Sequence, residues 1–528
     1  MFRNKLLDFL NESITGISQI CLGYIAVMCL LFQTNIGFGG VDLYSYEYAA
    51  ISKNSIFMIS ALLLSAYIFM SSKNKLNKID EKSLFLSFAT IYLIFGTFLI
   101  FNSLPTLKDD VLFSFHSARD LNKGIYTSFL PRYFYDTMKP EGYLYHNPHQ
   151  LGMVTIERIL FFISTKMRFF QFINLFIVLV TNYYIWQTVK LLSNNNKVAS
   201  NASIMISFLF FPQFFFILFV YGILPANLLI ILSYYNFIRY SKDNKTKYLV
   251  YHIMFIAFAV LLKENSFIAL IAFIILHLMK FIDTKKRKWI MAPLIMISVV
   301  FISIFSLKQY YQYEIGHKIN EGMPKLSYLY MGISPNTAGR VGGWWTGYNI
   351  DLVKNAEFDK KKMDEMLYKD LSERAIYLIS NPLYTYKFFS QKITSIWTDP
   401  MFQSVWSGPL QKSRESLIIH NLFHDLSNVG PNYKVFKTLS HIILFLIYIA
   451  SFLFVFSGKK VNNVWLFPYL YFLGGFVFHI FWEAKSQYGM TYVLMLIPIC
   501  SLYISSNNIK DMFKNNVIKK YKKLVKIR

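Results

Sequence analysis

Apolar residues in this chain gather in long runs, with little of the two-residue or 3.6-residue alternation that marks half-buried strands and helices. The runs cover about 17–37, 55–71, 84–103, 148–164, 168–190, 198–219, 222–239, 248–262, 266–281, 289–307, 438–457, 463–481 and 486–506. A helix needs roughly 20 apolar residues to cross a bilayer, and most of these runs approach that length. The first is too long for a signal-peptide core and lacks a small-residue cleavage site, so it reads as an uncleaved transmembrane helix. The pattern predicts an all-α polytopic membrane protein interrupted by two polar, aromatic segments, about 104–167 and 308–436.

Short basic loops stay in the cytoplasm. They lie at Lys73–Lys82, Lys190–Lys197, Arg239–Lys247, Lys280–Lys288, Lys459–Lys460 and in the tail from Lys510. All can share one side only if one run does not cross. The run at 148–164 carries Glu157 and Arg158 at its middle, where charge is costly in a bilayer, so it reads as an amphipathic helix on the outer surface. About 12 crossings remain, with both termini cytoplasmic. The expected organisation is a two-helix N-terminal addition (1–83), a transmembrane module (84–307) holding the first outer segment, the large outer region (308–436), C-terminal transmembrane helices (437–509) and a basic tail (510–528).

Composition sharpens this picture. Of 528 residues, 55% are hydrophobic and 16% charged, yet the net charge is +25. Soluble domains carry about 25% charged residues, which excludes a water-soluble enzyme. The cytoplasmic segments hold 27 Lys and Arg against 7 Asp and Glu, so most of the excess follows from topology and no nucleic-acid partner is needed. Cys21, Cys29 and Cys500 all sit in apolar runs, which argues against a disulfide framework or a thiolate metal site. Transporters keep short outer loops and place polar residues near the bilayer midplane. Here the polar residues gather outside, which points to chemistry at the outer surface on a substrate held in the lipid.

Four segments carry a family resemblance. LPTLKDDVLFSFHSARDLNKGIY holds the acidic pair Asp109-Asp110 just after an apolar run. GYLYHNPHQLGMVTIERI leads a His/Pro stretch into the surface helix. LLKENSFIALIA holds Lys263, Glu264 and Asn265 in a tight turn. FWEAKSQYGMTYVLMLIP opens the last helix with Glu483, Lys485 and Gln487. In order and sidedness these resemble the GT-C-type integral membrane glycosyltransferases, the superfamily of protein O-mannosyltransferases and lipid A aminoarabinose transferases. Gln487 stands where many relatives carry Arg. The resemblance spans about residues 84–506.

It implies a membrane glycosyltransferase, a hexosyl- or pentosyltransferase, in a bacterial plasma membrane. Such an enzyme moves a sugar from a polyprenyl-phosphate donor to a cell-envelope glycan, lipid or protein on the extracytoplasmic face. A lipid-linked oligosaccharide polymerase or ligase, and a flippase or transporter, are the competing readings. The reaction needs a base for the acceptor hydroxyl and cations for the phosphate leaving group. Asp109 and Asp110 are the base candidates, Asp109 as the first of the pair. As residues alone they read first as a helix cap with a solvated partner, and a divalent cation at this pair is the one cofactor the pattern suggests.

Lys263 reads either as a phosphate ligand or as a snorkelling interfacial lysine. Arg340 lies among Gly339, Gly342 and Gly343, which let backbone N–H groups approach a phosphate; the alternative is an ordinary aromatic loop. His146 and His149 lack a third ligand for zinc and read as substrate contacts or helix entry. Glu483 would orient Lys485 or the acceptor, or be a solvated interface residue. Segments 359–382 and 385–397 predict two amphipathic helices, the first ending at Asn381-Pro382, that cap the cavity and contact the acceptor.

Overall fold

A computed structural model describes residues 2–38, 45–51, 55–104, 109–133, 139–335, 342–407, 422, 430–457 and 463–506. Helices account for nearly all of its regular structure. In chain order the main elements are α1 (Phe2–Leu31), β1 (Phe32–Phe38), β2 (Ser45–Ile51), α2 (Ser55–Ser71), α3 (Glu81–Asn102), α4 (Asp109–Leu121) and α5 (Leu151–Phe161). There follow α6 (Met167–Leu192), α7 (Lys197–Leu209), α8 (Ile223–Asp243), α9 (Thr246–Leu262), α10 (Phe267–Thr284), α11 (Lys288–Ile315) and α12 (Lys325–Ile333). The last set is α13 (Lys360–Ser380), α14 (Pro382–Trp397), α15 (Pro431–Phe454), α16 (Phe467–Phe481), α17 (Ser486–Leu494) and α18 (Ile497–Ser505).

Among the described residues, seven helices are long and apolar enough to cross a membrane, or eight with the bent pair α17–α18, whose axes meet at 43°. The helices α2 and α9 are apolar but shorter. The run at 198–219 does not form one helix: α7 stops at Leu209, and a second short helix, Phe211–Phe216, carries Pro212 in its first turn, where proline is tolerated. The run at 148–164 yields only the 11-residue α5, well short of a bilayer crossing. Its Glu157 is fully buried and accepts from Ser114 Oγ of α4 at 3.3 Å, and Arg158 forks onto Glu314 of α11 at 2.7 Å.

One element departs from an all-α reading. The first apolar run leaves the helix at Leu31 and continues as β1, paired antiparallel with β2 in a register that sets Thr34 opposite Ala49 and Ile36 opposite Glu47. Gln33, Thr34, Asn35 and Gly37 are poor interior helix residues. The hairpin instead satisfies its polar groups on α14: Thr34 Oγ1 donates to Ser395 O at 2.8 Å, and Thr34 N to Thr398 O at 3.2 Å. On α1, the Tyr24 hydroxyl lies 3.3 Å from Ser390 Oγ of α14, and Gly23 packs on Phe452 of α15. The N-terminal helix is thus tied to the C-terminal third of the chain.

The loops sort into two groups by contact. Lys190 pairs with Glu81 at 3.1 Å, Lys242 reaches the carbonyl of Leu191, Lys288 bonds Asn244, and Asn201 donates to the carbonyls of Leu76 and Ile79. Four of the basic loops therefore touch one another or the same helix ends. The other group, around 110, 143–150, 221, 263–264, 325–335, 342–345 and 483–488, forms the site described next.

Candidate functional site

Asp110 lies in the first turn of α4 and is half-buried. Two phenols hold it: Tyr143 Oη donates to Oδ1 and Tyr221 Oη to Oδ2, both at 3.1 Å. Gln150 Nε2 in turn donates to Tyr221 Oη at 2.7 Å. Burial, reinforced by the Asp110 charge, pushes Tyr221 well above the ordinary phenol range, so it remains a donor. Tyr143 and Gln150 come from the loop that the His/Pro stretch folds. Gly142 turns with φ +83° where a Cβ would strike the carbonyl of Arg132, and Pro148 opens the short 3-10 turn ending at Gln150.

Lys263 ends α9, with Nζ 4.2 Å from the ring centre of Tyr221 and 5.7 Å from that of Tyr488. Such a cation over a ring is held by the ring quadrupole. Burial draws its amine down to about 8, against the opposing pull of Asp110, Glu483 and Glu264. Two glycines let neighbours close on its backbone. A Cβ at Gly152 would sit 1.9 Å from Leu261 O, and one at Gly222 would sit 2.3 Å from Leu262 O. Beside it Glu264 pairs with Lys325 at 2.5 Å on the exposed rim, a pair worth little in stability. His149 is exposed and within electrostatic reach of Glu264, Asp110 and Lys263.

The third component is the segment 483–485, between α16 and α17. Its backbone is pinned by Glu483 N donating to Tyr328 O at 2.9 Å and Ala484 N to Gly343 O at 3.1 Å. Glu483 is 6% exposed, and its carboxylate accepts the backbone N–H of Trp345. Among the described residues, its buried Oε1 has no hydrogen-bond partner. Burial raises its affinity for a proton, against Lys485, Lys392 and Lys263. Lys485 caps α17 and is half-buried. The fully buried Lys392 of α14 fixes the segment, donating to the carbonyls of Gly332, Ile480 and Trp482 at 2.6, 2.9 and 2.8 Å. Burial pulls its amine down to about 7. The three carbonyls act against that, because only the ammonium carries three donors.

A second acid pair adjoins this segment. Ser486 Oγ lies 2.5 Å from Glu47 Oε1 and 2.6 Å from Asp399 Oδ2, and all three residues are fully buried. Ser486 has one hydroxyl proton for two carboxylate oxygens, so a proton on one of the two acids would complete the second contact. Burial raises both acids, and Asp399 raises Glu47 further. Backbone N–H groups of Ser486, Met401 and Gln403 supply the remaining bonds.

Of the residues singled out from sequence, Asp110, Lys263, His149, Glu483 and Lys485 come together at one end of the bundle. His146 belongs to the loop scaffold: it is 4% exposed, its Nε2 lies 2.9 Å from Arg132 O, and its carbonyl accepts from Met323 N. The side chain of Asp109 and all of Arg340 lie outside the described residues. Sequence reasoning did not find Tyr143, Gln150, Tyr221, Tyr328 or Tyr488. Among the described residues, no three His, Cys, Asp or Glu side chains form a metal-holding group. The arrangement offers a carboxylate oriented by two phenols, with Lys263 within electrostatic reach of it, of Lys485 and of the buried Glu483. No protein-family model and no curated protein matches the chain.

Proposed function

We propose that the protein is an integral membrane glycosyltransferase that transfers a sugar from a polyprenyl-phosphate donor to a cell-envelope acceptor on the extracytoplasmic face of a bacterial plasma membrane. About 12 crossings put both termini and the basic loops in the cytoplasm. The observation that carries the reading is the convergence of Asp110, Lys263 and Glu483, from three distant segments, at the end of the bundle away from those loops.

In this reading Asp110, steadied by Tyr143 and Tyr221, takes the proton of the acceptor hydroxyl as its oxygen bonds the anomeric carbon. Asp109 is the neighbouring candidate for the same step. The bond from that carbon to the phosphate oxygen breaks, and the electron pair leaves with the lipid phosphate, held by Lys263 and Lys485. Glu483 keeps Lys485 charged and aimed.

The assay is transfer of a labelled sugar from a lipid monophosphate in membranes containing the full chain. Transfer should be lost in Asp110→Asn while the protein still inserts. Full activity in both Asp110→Asn and Asp109→Asn overturns the assignment. Transfer only from a lipid diphosphate oligosaccharide replaces it with the polymerase or ligase reading.

A further inference from the structure

The helix α13 changes character along its length. From Lys360 to Glu373 it carries Lys360, Lys361, Lys362, Asp364, Glu365, Lys369, Asp370 and Glu373, as a water-facing helix should. From Ala375 through the Asn381-Pro382 bend to Tyr386 in α14 there is no charge. Yet this elbow is outward-facing: Ile376 is 63% exposed, Tyr377 45%, Ile379 80%, Leu383 67% and Tyr386 71%. Single exposed apolar residues are ordinary, whereas a contiguous uncharged patch marks a surface that something apolar covers.

The elbow's level relative to the bundle is fixed. Lys392 clamps α14 to the carbonyls of Ile480 and Trp482, at the end of the membrane-length helix Asn463–Phe481. One turn earlier, Phe389 meets the Phe481 ring at 5.8 Å. Phe481 and Val477 are about half exposed, as expected of a lipid-facing span, and Trp482 stacks on Phe478 at that end, the level where membrane proteins place tryptophan. Leu383 is six residues from Phe389, or about 9 Å along a helix. The apolar elbow therefore continues the lipid-facing surface of that span.

We propose that residues 375–386 form a monotopic membrane anchor, seated in the headgroup–acyl boundary of the membrane the bundle crosses. The occupant is lipid, and the proposal is independent of the transferase reading. The charged half of α13 stays in water, so the helix straddles the boundary at about Glu373–Ala375.

The test uses the full chain in phosphatidylcholine–phosphatidylglycerol vesicles, with an environment-sensitive thiol probe on Ile379→Cys, Leu383→Cys or Lys361→Cys. Cys29 and Cys500 are buried, and a wild-type blank subtracts labelling of Cys21. Probes at 379 and 383 should emit at shorter wavelength than at 361, lose fluorescence to lipids doxyl-labelled near the headgroup, and resist aqueous iodide. The probe at 361 should do the reverse. Iodide quenching at 379 and 383 equal to that at 361 overturns the proposal. So does protection at both sites from iodide and doxyl lipid alike, which would mean that protein covers the elbow.

Discussion

Two groups of acids lie on or near the short segment 483–488, and they are built differently. Glu47 and Asp399 are fully buried, and their hydrogen bonds come from Ser486 and from nearby backbone N–H groups. Asp110 and Glu483 differ in exposure and in their neighbours. Asp110 takes two phenol donors and keeps a half-open face, and one buried Glu483 oxygen has no hydrogen-bond partner among the described residues. A fully buried acid bonded only to a serine and to backbone is a fastener. An acid with lone pairs left over, set beside lysines, is equipped to take a proton or hold a cation.

The comparison breaks most directly at Asp110. Asp110→Asn keeps an acceptor for only one of the two phenols and removes the basic site, so transfer should fall about 10²–10⁴-fold with insertion unchanged and the thermal midpoint lowered by no more than the loss of one hydrogen bond. Loss of the fold instead would make Asp110 a fastener too. Lys263→Met should cost donor affinity roughly 10- to 100-fold, the range of a charge-assisted hydrogen bond. With its amine near 8, wild-type affinity should decline as pH rises through that value. Lys263→Arg, which stays charged, should extend the plateau to higher pH, and an unaltered alkaline limb would assign it to another group.

The sealed pair should respond in stability. Glu47→Gln retains a donor for Ser486 Oγ and an acceptor for its N–H, so it should express and transfer normally, whereas Glu47→Ala should lose about 1–3 kcal/mol for stranding buried partners. Because both acids are raised in the fold, their stabilisation is present at low pH and drains away as pH climbs through the raised values. The thermal midpoint at fixed scan rate should therefore fall with rising pH, and less steeply in Glu47→Gln. Equal slopes would remove Glu47 from that titration. The smallest effect is expected for Tyr221→Phe, about 2- to 10-fold in transfer rate, since Tyr143 still holds Asp110.

Part of this was readable from the chain. The pair Asp109-Asp110, with Asp109 favoured, and Lys263 and Glu483 are singled out by the resemblance of their segments to a known family. The demotion of 148–164 followed from Glu157 and Arg158, and both prove to be partnered by protein. Tyr143 and Tyr221 were invisible among 37 tyrosines, because a phenol donor has no spacing signature and gains its role only from a carboxylate more than 30 residues away in sequence. Glu47 was hidden for a related reason. Its partners Asp399 and Ser486 are more than 350 residues distant, and the hairpin that delivers it continues an apolar run that reads as pure helix. The polar cluster Gln33-Thr34-Asn35 was the one local hint that the helix stops at Leu31.

Gly152 and Gly222 press on the last carbonyls before Lys263, where no Cβ fits. In a saturation library scored by sugar transfer, both positions would be as intolerant as Asp110, although neither has a side chain to offer a substrate. Activity ranking alone would enter two glycines among the catalytic residues. Scoring the same library for membrane abundance should separate them, with the glycine variants lost from the membrane and the Asp110 variants retained but silent.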